Sequence, residues 1–372
     1  MNNEVYLDYS ATTPVDNDVL EEYINTTKTF IANPNSPHKL GQESKKKLYD
    51  SIYKIAKKLN CYSKELIFTS CASESNAYAI RGVAQTCKIY GKHIITTPLE
   101  HKSVLEEMKR LKKLSYDIEY VNILKNGQVD LNDLENKIRK DTILVSICGV
   151  NSEVGYCQDL KSIRKIIDKK NKNVVFHSDL TQALGKTKID LSILDLASFS
   201  GHKIYAPKGI GILYKKRTLA IDKLICGGTV TTPYRGGTPN VALISALSVA
   251  INKCINDLDT NINKCKSMKK ILIDNLSKYD KIHINSNNLC VPQIINFSLV
   301  NMKSEYFIKE LEKYNIYVSS NTACSSLSES LILKEIYNDS RISTTSIRIS
   351  ISHLTSIDEI NYFLKIFNKI YN

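Results

Sequence analysis

Between residues 66 and 214 short β-branched runs alternate with amphipathic stretches, and nothing else in the 372-residue chain limits its fold so tightly. The runs are LIFT (66–69), HIITT (93–97), IEYVNI (118–123), ILVSI (143–147), VVFH (174–177), DLASF (195–199) and GILY (211–214). Helical patterns such as 73–90 and 159–170 lie between them. Strand–helix alternation of this kind predicts an α/β fold built on a doubly wound, mostly parallel sheet. After Pro239 a helical pattern runs to about residue 278 without a strand signal, as a connection between domains would. The remainder mixes IINFSL (294–299), a helix at 304–314, IYVS (316–319), SIRISIS (346–352) and a last helix. Thr355 and Asp358 suggest a capping box for that helix. The division expected is a large domain over 15–250 and a smaller α+β domain over 251–372.

The unusual polar residues fall at the ends of the predicted strands. LIFT runs into SCASES, HIITT into PLEH, ILVSI into CGVNSE, VVFH into SDLTQ, and DLASF into SGHK. In open α/β sheets ligands bind beyond the carboxyl ends of the strands, so five such clusters on one rim predict a site. Cys71, Ala72 and Ser73 open a helix, where backbone N–H groups and the Ser73 hydroxyl would suit a phosphate. Taken alone, Ser73 reads as readily as a helix cap. Ser200 and His202 add donors beside Lys203. Asp179 ends an apolar strand, where an unpaired carboxylate is costly, so it calls for a cationic or protonated partner. With the flat ring of His101 these groups suggest pyridoxal phosphate, which needs a lysine, an acid partner for its ring nitrogen and a phosphate site.

Charge and cysteine content narrow the setting. The net charge of +13 is spread over segments such as SKKKL (44–48), RLKKL (110–114) and LYKKR (213–217), so no direct nucleic-acid binding is expected. The ten cysteines include no C-x-x-C pair, and no metal site is expected. MNNEVYLDYS is no signal peptide, and no apolar run approaches the roughly 18–20 residues that span a bilayer. A cytoplasmic protein without membrane contact is the expectation.

The chain also resembles a known family, the NifS/IscS-type cysteine desulfurases within the class V aminotransferases. The blocks that carry the likeness are YLDYSATTP (6–14), NPNSPHKLG (33–41), ELIFTSCASES (65–75), GKHIITTPLEH (91–101), SFSGHKIYAPKGIG (198–211), RGGT (235–238), SSNTACSS (319–326) and SIRIS (346–350). They fall in the family's order over almost the whole chain. The resemblance implies the pyridoxal-phosphate-dependent transferase fold of type I, with residues 1–14 packed near the active site. Lys203 would carry pyridoxal 5′-phosphate as a Schiff base and shuttle protons at the substrate's α-carbon. Asp179 would keep the ring nitrogen protonated, Gln182 would bond the phenolic oxygen, and His101 would stack on the ring. Ala72, Ser73, Ser200 and His202 would hold the phosphate, joined by Thr238 of a neighbouring subunit in a homodimer. Arg348 would grip the substrate carboxylate, a task suited to a rigid fork. Cys324 would take sulfur from L-cysteine as a persulfide, leaving alanine, and deliver it to an acceptor in iron–sulfur cluster assembly or tRNA thiolation. A selenocysteine lyase or an aminotransferase of the same fold is the alternative reading, and a non-catalytic scaffold a more distant one.

Several positions depart from the family's pattern. GVNSE places Gly149 where a histidine is usual and Ser152 where an asparagine touches the cofactor's ring oxygen, so either Ser152 makes a weaker cofactor contact, through water, or Asn151, a candidate for substrate binding, shifts to compensate. Cys71 stands for a glycine, Leu180 for a small residue, and Asn321 for a glycine before the active cysteine. The loop 227–238 lacks the usual Glu-Arg. The residues of covalent chemistry are untouched by these changes, which predicts an active enzyme with an altered surround.

Overall fold

The computed structural model describes residues 4–228, 234–320 and 329–371. All seven β-branched runs become strands of one sheet. Across it the order is Leu66–Thr69, Gly211–Lys215, Leu196–Ser200, Val175–Asp179, Thr142–Ser146, His93–Thr96 and Asp117–Tyr120. Only Gly211–Lys215 runs against the others, so six strands end at one rim. Neighbouring side chains on each strand point to opposite faces. Ile67, Ile94, Leu144, Val175, Leu196 and Leu213 enter one apolar core, while Phe68, Ile95, Val145, Phe176, Ala197 and Ile212 enter the other. Burial on both faces accounts for strands that read as continuous apolar runs. Asp117–Tyr120, at the sheet's edge, is the exposed exception and carries Asp117 and Glu119.

The helical pattern after Pro239 forms two helices, Val241–Asn256 and Leu258–Leu276, bent by 63°. Val241, Ile244, Leu247 and Ile251 of the first pack into the larger core beneath the sheet. Cys265, Met268, Leu272 and Leu276 of the second pack into a separate core. That core is shared with an antiparallel sheet of Ile282–Ile284, Ile294–Leu299 and Ser346–Ser350 and with the last helix, Ile357–Tyr371. The last helix starts one residue later than its sequence suggested. The Ser356 N–H bonds Glu359 Oε2 at 2.7 Å and the Glu359 N–H bonds Ser356 Oγ at 3.1 Å. Thr355 is unavailable, because its hydroxyl accepts from the Ser352 N–H. No single described helix is long and apolar enough to cross a membrane.

The N-terminal segment joins the two cores. Val5–Tyr6 pairs in parallel with Ile316–Tyr317, and Val5 and Leu7 are buried in the smaller core. Further along, the N–H groups of Thr13 and Asp16 donate to the carbonyls of His202 and Tyr205, both at 3.0 Å. The chain therefore passes beneath the rim on which Lys203 sits.

Candidate active site

Strand ends place the predicted groups. Asp179 is the last residue of its strand and is buried. Its carboxylate accepts from the Thr181 N–H at 2.9 Å and from Asn76 Nδ2 at 2.7 Å. Ser200 ends the neighbouring strand, and the single turn Gly201–Lys203 follows it. Lys203 Nζ donates to the carbonyls of Ser10 at 2.7 Å and Ala11 at 2.6 Å. Gln182 Nε2 donates to the same Ser10 carbonyl at 2.9 Å. His202 Nδ1 lies 3.1 Å from Thr12 Oγ1, and burial with the Lys203 charge beside it pushes the ring down to about 4.

His101 precedes helix Lys102–Lys113, and its Nδ1 accepts the Ser103 N–H at 3.1 Å. Burial lowers its pKa and keeps the ring neutral, with Asp179 pulling the other way. The Ser103 hydroxyl lies 2.8 Å from that nitrogen and accepts from Asn76 Nδ2 at 2.9 Å. One asparagine thus ties Asp179 to His101. Helix Ala72–Cys87 opens with extended Cys71 and no side-chain cap, so Ser73 does not cap it. Its first turn faces a cavity of about 320 Å³ lined by Ala72, Ser73, His101, Asp179, Lys203 and Arg348, together with Ser152, Gln182, Ser200 and His202. Gln182 Oε1, Ser200 Oγ and Thr181 Oγ1 are buried without partners among the described residues.

This donor set fits pyridoxal phosphate. A buried carboxylate suits a protonated ring nitrogen, and an imidazole offers a stacking face. An uncapped helix N-terminus beside the unpartnered Ser200 hydroxyl suits a phosphate dianion.

Other expectations met a different geometry. Asn151 is buried but does not line the cavity. Its Nδ2 donates to the Leu99 carbonyl and its Oδ1 accepts from the Glu153 and Val154 N–H groups, so the amide is consumed in shaping its own turn. Arg348, 1% exposed, spends Nη2 on Asp8 Oδ1 at 2.6 Å and Nη1 on the Ser152 carbonyl at 3.0 Å. Its Nε has no hydrogen-bond partner among the described residues. Thr238 is exposed and lines a separate cavity with Thr69, Ser70 and Arg235. Cys324 and Asn321 lie outside the described residues.

Two departures from the family's pattern prove to be one exchange. A Cβ on Gly149 would stand 2.5 Å from Leu180 Cδ2, so leucine fills the space beside the missing histidine side chain. The reading of the sequence did not single out Asn76, Ser103, Asp8 or Glu100. Glu100 is wholly buried, accepts from the Cys148 N–H at 2.6 Å, and is pushed up to about 8 by burial. The signal for Asn76 was an amide on the apolar face of a helical pattern.

The aminotransferase class-V family matches residues 5–363 of the chain. The chain is 38% identical over 382 residues to a cysteine desulfurase IscS of Buchnera aphidicola subsp. Baizongia pistaciae, covering all of this chain and 94% of that protein. A solved NifS-like protein superposes with a TM-score of 0.94 at 35% identity, covering 99% of both chains. SspA, solved in complex with cysteine, superposes with a TM-score of 0.82 at 29% identity, covering 93% of this chain and 98% of that one.

Proposed function

The chain belongs to the class V aminotransferases, in their NifS/IscS-type cysteine desulfurase branch, and on that premise we propose that it moves sulfur from L-cysteine to Cys324, releasing L-alanine. The observation that carries this reading is the meeting of Lys203, Asp179, His101 and Arg348 in one cavity. Pyridoxal 5′-phosphate, when bound, supplies an electron sink that stabilises charge at the substrate's α-carbon. Lys203 would hold it covalently and move a proton at that carbon. Asp179 would keep the proton on the ring nitrogen, His101 would pack on the ring, and Gln182 would serve its phenolic oxygen. Ala72, Ser73, Ser200 and His202 would hold the phosphate, with Thr238 reaching it from the second subunit of a homodimer.

Arg348 would bind the substrate carboxylate through Nε, with Asp8 holding Nη2 and the Ser152 carbonyl holding Nη1. The transfer balances as one exchange. The sulfur of L-cysteine bonds to the Cys324 sulfur as its Cβ–S bond breaks, and the carbon takes the electron pair and a proton to leave as alanine. The persulfide then passes to an acceptor protein of the iron–sulfur or tRNA-thiolation kind, in the cytoplasm.

Purified protein loaded with the cofactor should absorb near ~400 nm and release alanine and sulfide in equal amounts from L-cysteine and a thiol reductant. Cofactor binding without alanine release overturns the proposal. Cys324→Ser should keep the absorbance band and lose turnover; full turnover in that variant would favour an aminotransferase.

A further inference from the structure

A second cavity, of about 60 Å³, lies on the other side of Lys203. Cys254 on its wall belongs to the larger core and Cys265 to the smaller, so it sits where the two meet. Lys186 also lines it, is wholly buried, and its Nζ has no hydrogen-bond partner among the described residues. Gln293 Oε1, on the same wall, is likewise buried and unpartnered. An ammonium taken out of water costs several kcal/mol unless it is paired.

The surrounding charges do not pair it. Burial first, and the Lys203 and Arg348 charges after it, push Lys186 down to about 7, and the Cys254 and Cys265 thiols, each pushed up to about 12 by burial, are uncharged at neutral pH. Of the two carboxylates on the cavity wall, Asp16 is held by Lys253 at 2.8 Å and Asp257 is exposed to solvent. Lys186 therefore has no counter-ion among the described residues, and an anion beside it would hold its proton in place at neutral pH. We propose that this cavity is an anion site, in which Lys186 binds a small monovalent anion of the size of chloride or hydrogencarbonate.

Size and polarity set that class. A cavity of about 60 Å³ holds at most roughly four waters, which excludes nucleotides and sugar phosphates. Gln293 Oε1 requires a donor, met by the hydroxyl of hydrogencarbonate or by a water beside chloride. The location gives the site a consequence. The turn that carries Lys186 also carries Thr181 and Gln182 on the cofactor cavity, and Lys203 lines both spaces. An anion there braces the shared wall from behind.

The test uses the full-length, cofactor-loaded protein. Melting is followed in sodium chloride, in sodium hydrogencarbonate and in sodium gluconate at one pH and ionic strength, gluconate being too large to enter. Chloride or hydrogencarbonate should raise the Tm saturably by a few degrees over gluconate, and Lys186→Met should abolish the difference. Whichever anion acts identifies the source. In parallel, chloride-35 NMR of the wild type should show line broadening that hydrogencarbonate competes away, a measurement that stands even if Lys186→Met does not fold. Equal melting in all three salts without line broadening means water alone fills the cavity, and overturns the proposal. An anion effect that survives intact in Lys186→Met overturns it too.

Discussion

Asn76 divides its two amide hydrogens between Asp179 and the Ser103 hydroxyl, and the second bond reaches His101. Because Ser103 accepts from Asn76, its own hydrogen is free to point at His101 Nδ1, which leaves the neutral ring's proton on Nε2. The cost is a buried Asn76 Oδ1 without a partner among the described residues, about 1–3 kcal/mol. The reverse orientation would turn that oxygen against the Asp179 carboxylate. Asn76→Leu should therefore weaken cofactor affinity by roughly tenfold or more, from the lost bond to a charged group, while melting hardly changes. Titrating apo protein with pyridoxal phosphate and following its melt separates the two effects; unchanged affinity would remove Asn76 from the site. Glu100 makes a pH prediction. Folded, it keeps its proton up to about 8, whereas the unfolded chain loses it near 4.5, so its burial subtracts stability as pH rises across that window. Glu100→Gln should gain on the wild type by a few kcal/mol between those limits and differ little below them, as paired denaturant titrations would report. That Lys203, Asp179 and His101 gather on one cavity was legible because each belongs to a polar cluster at the end of a strand of one sheet. Asn76 and Glu100 were not, since only long-range packing distinguishes a buried amide or acid from a solvated one.

Six of the seven strands of the main sheet were legible because burial on both faces writes an apolar run, whereas Asp117–Tyr120 is exposed at the edge. The short pairings were not: Val5–Tyr6 is two residues long and pairs with Ile316–Tyr317 far along the chain, and Ile282–Ile284 is only three residues long. At the rim, the loop after Thr142–Ser146 packs on the turn after Val175–Asp179, and Gly149 meets Leu180 at that contact. Two departures that looked independent in sequence are coupled by adjacent strand ends. Gly149→His alone forces a side chain into Leu180 and should destabilise the fold by about 1–3 kcal/mol. Leu180→Ala alone leaves a cavity and should cost about 2–5 kcal/mol. The double variant should lose markedly less than the sum, a coupling that a double-mutant cycle in denaturant measures. Additive losses would mean that the two positions do not share the space.

The whole molecule hangs on the segment from Val5 to Asp16, which starts in the smaller core and ends bonded to the turn around Lys203. Ser10 and Ala11, midway along it, supply the carbonyls that hold the Lys203 ammonium. Any shift of one core against the other is thus felt at Lys203, a relation no local reading of YLDYSATTP could supply. Thr238 raises the scale once more. It is exposed and sits in a cavity apart from the one around Lys203 in its own chain, so a role at the phosphate requires a second copy. Complementation decides this. Thr238→Glu sets a carboxylate against the phosphate, and Lys203→Ala removes the attachment point, so each homodimer should fail to bind cofactor tightly. If Thr238 acts across the dimer, a heterodimer of the two variants has one site with Lys203 and an intact Thr238 from its partner. Doubly tagged, co-expressed heterodimer should then regain about half of the wild-type cofactor stoichiometry. If Thr238 acts within its own chain, that site carries the glutamate and stays empty, and the composite dimer is refuted by the same titration.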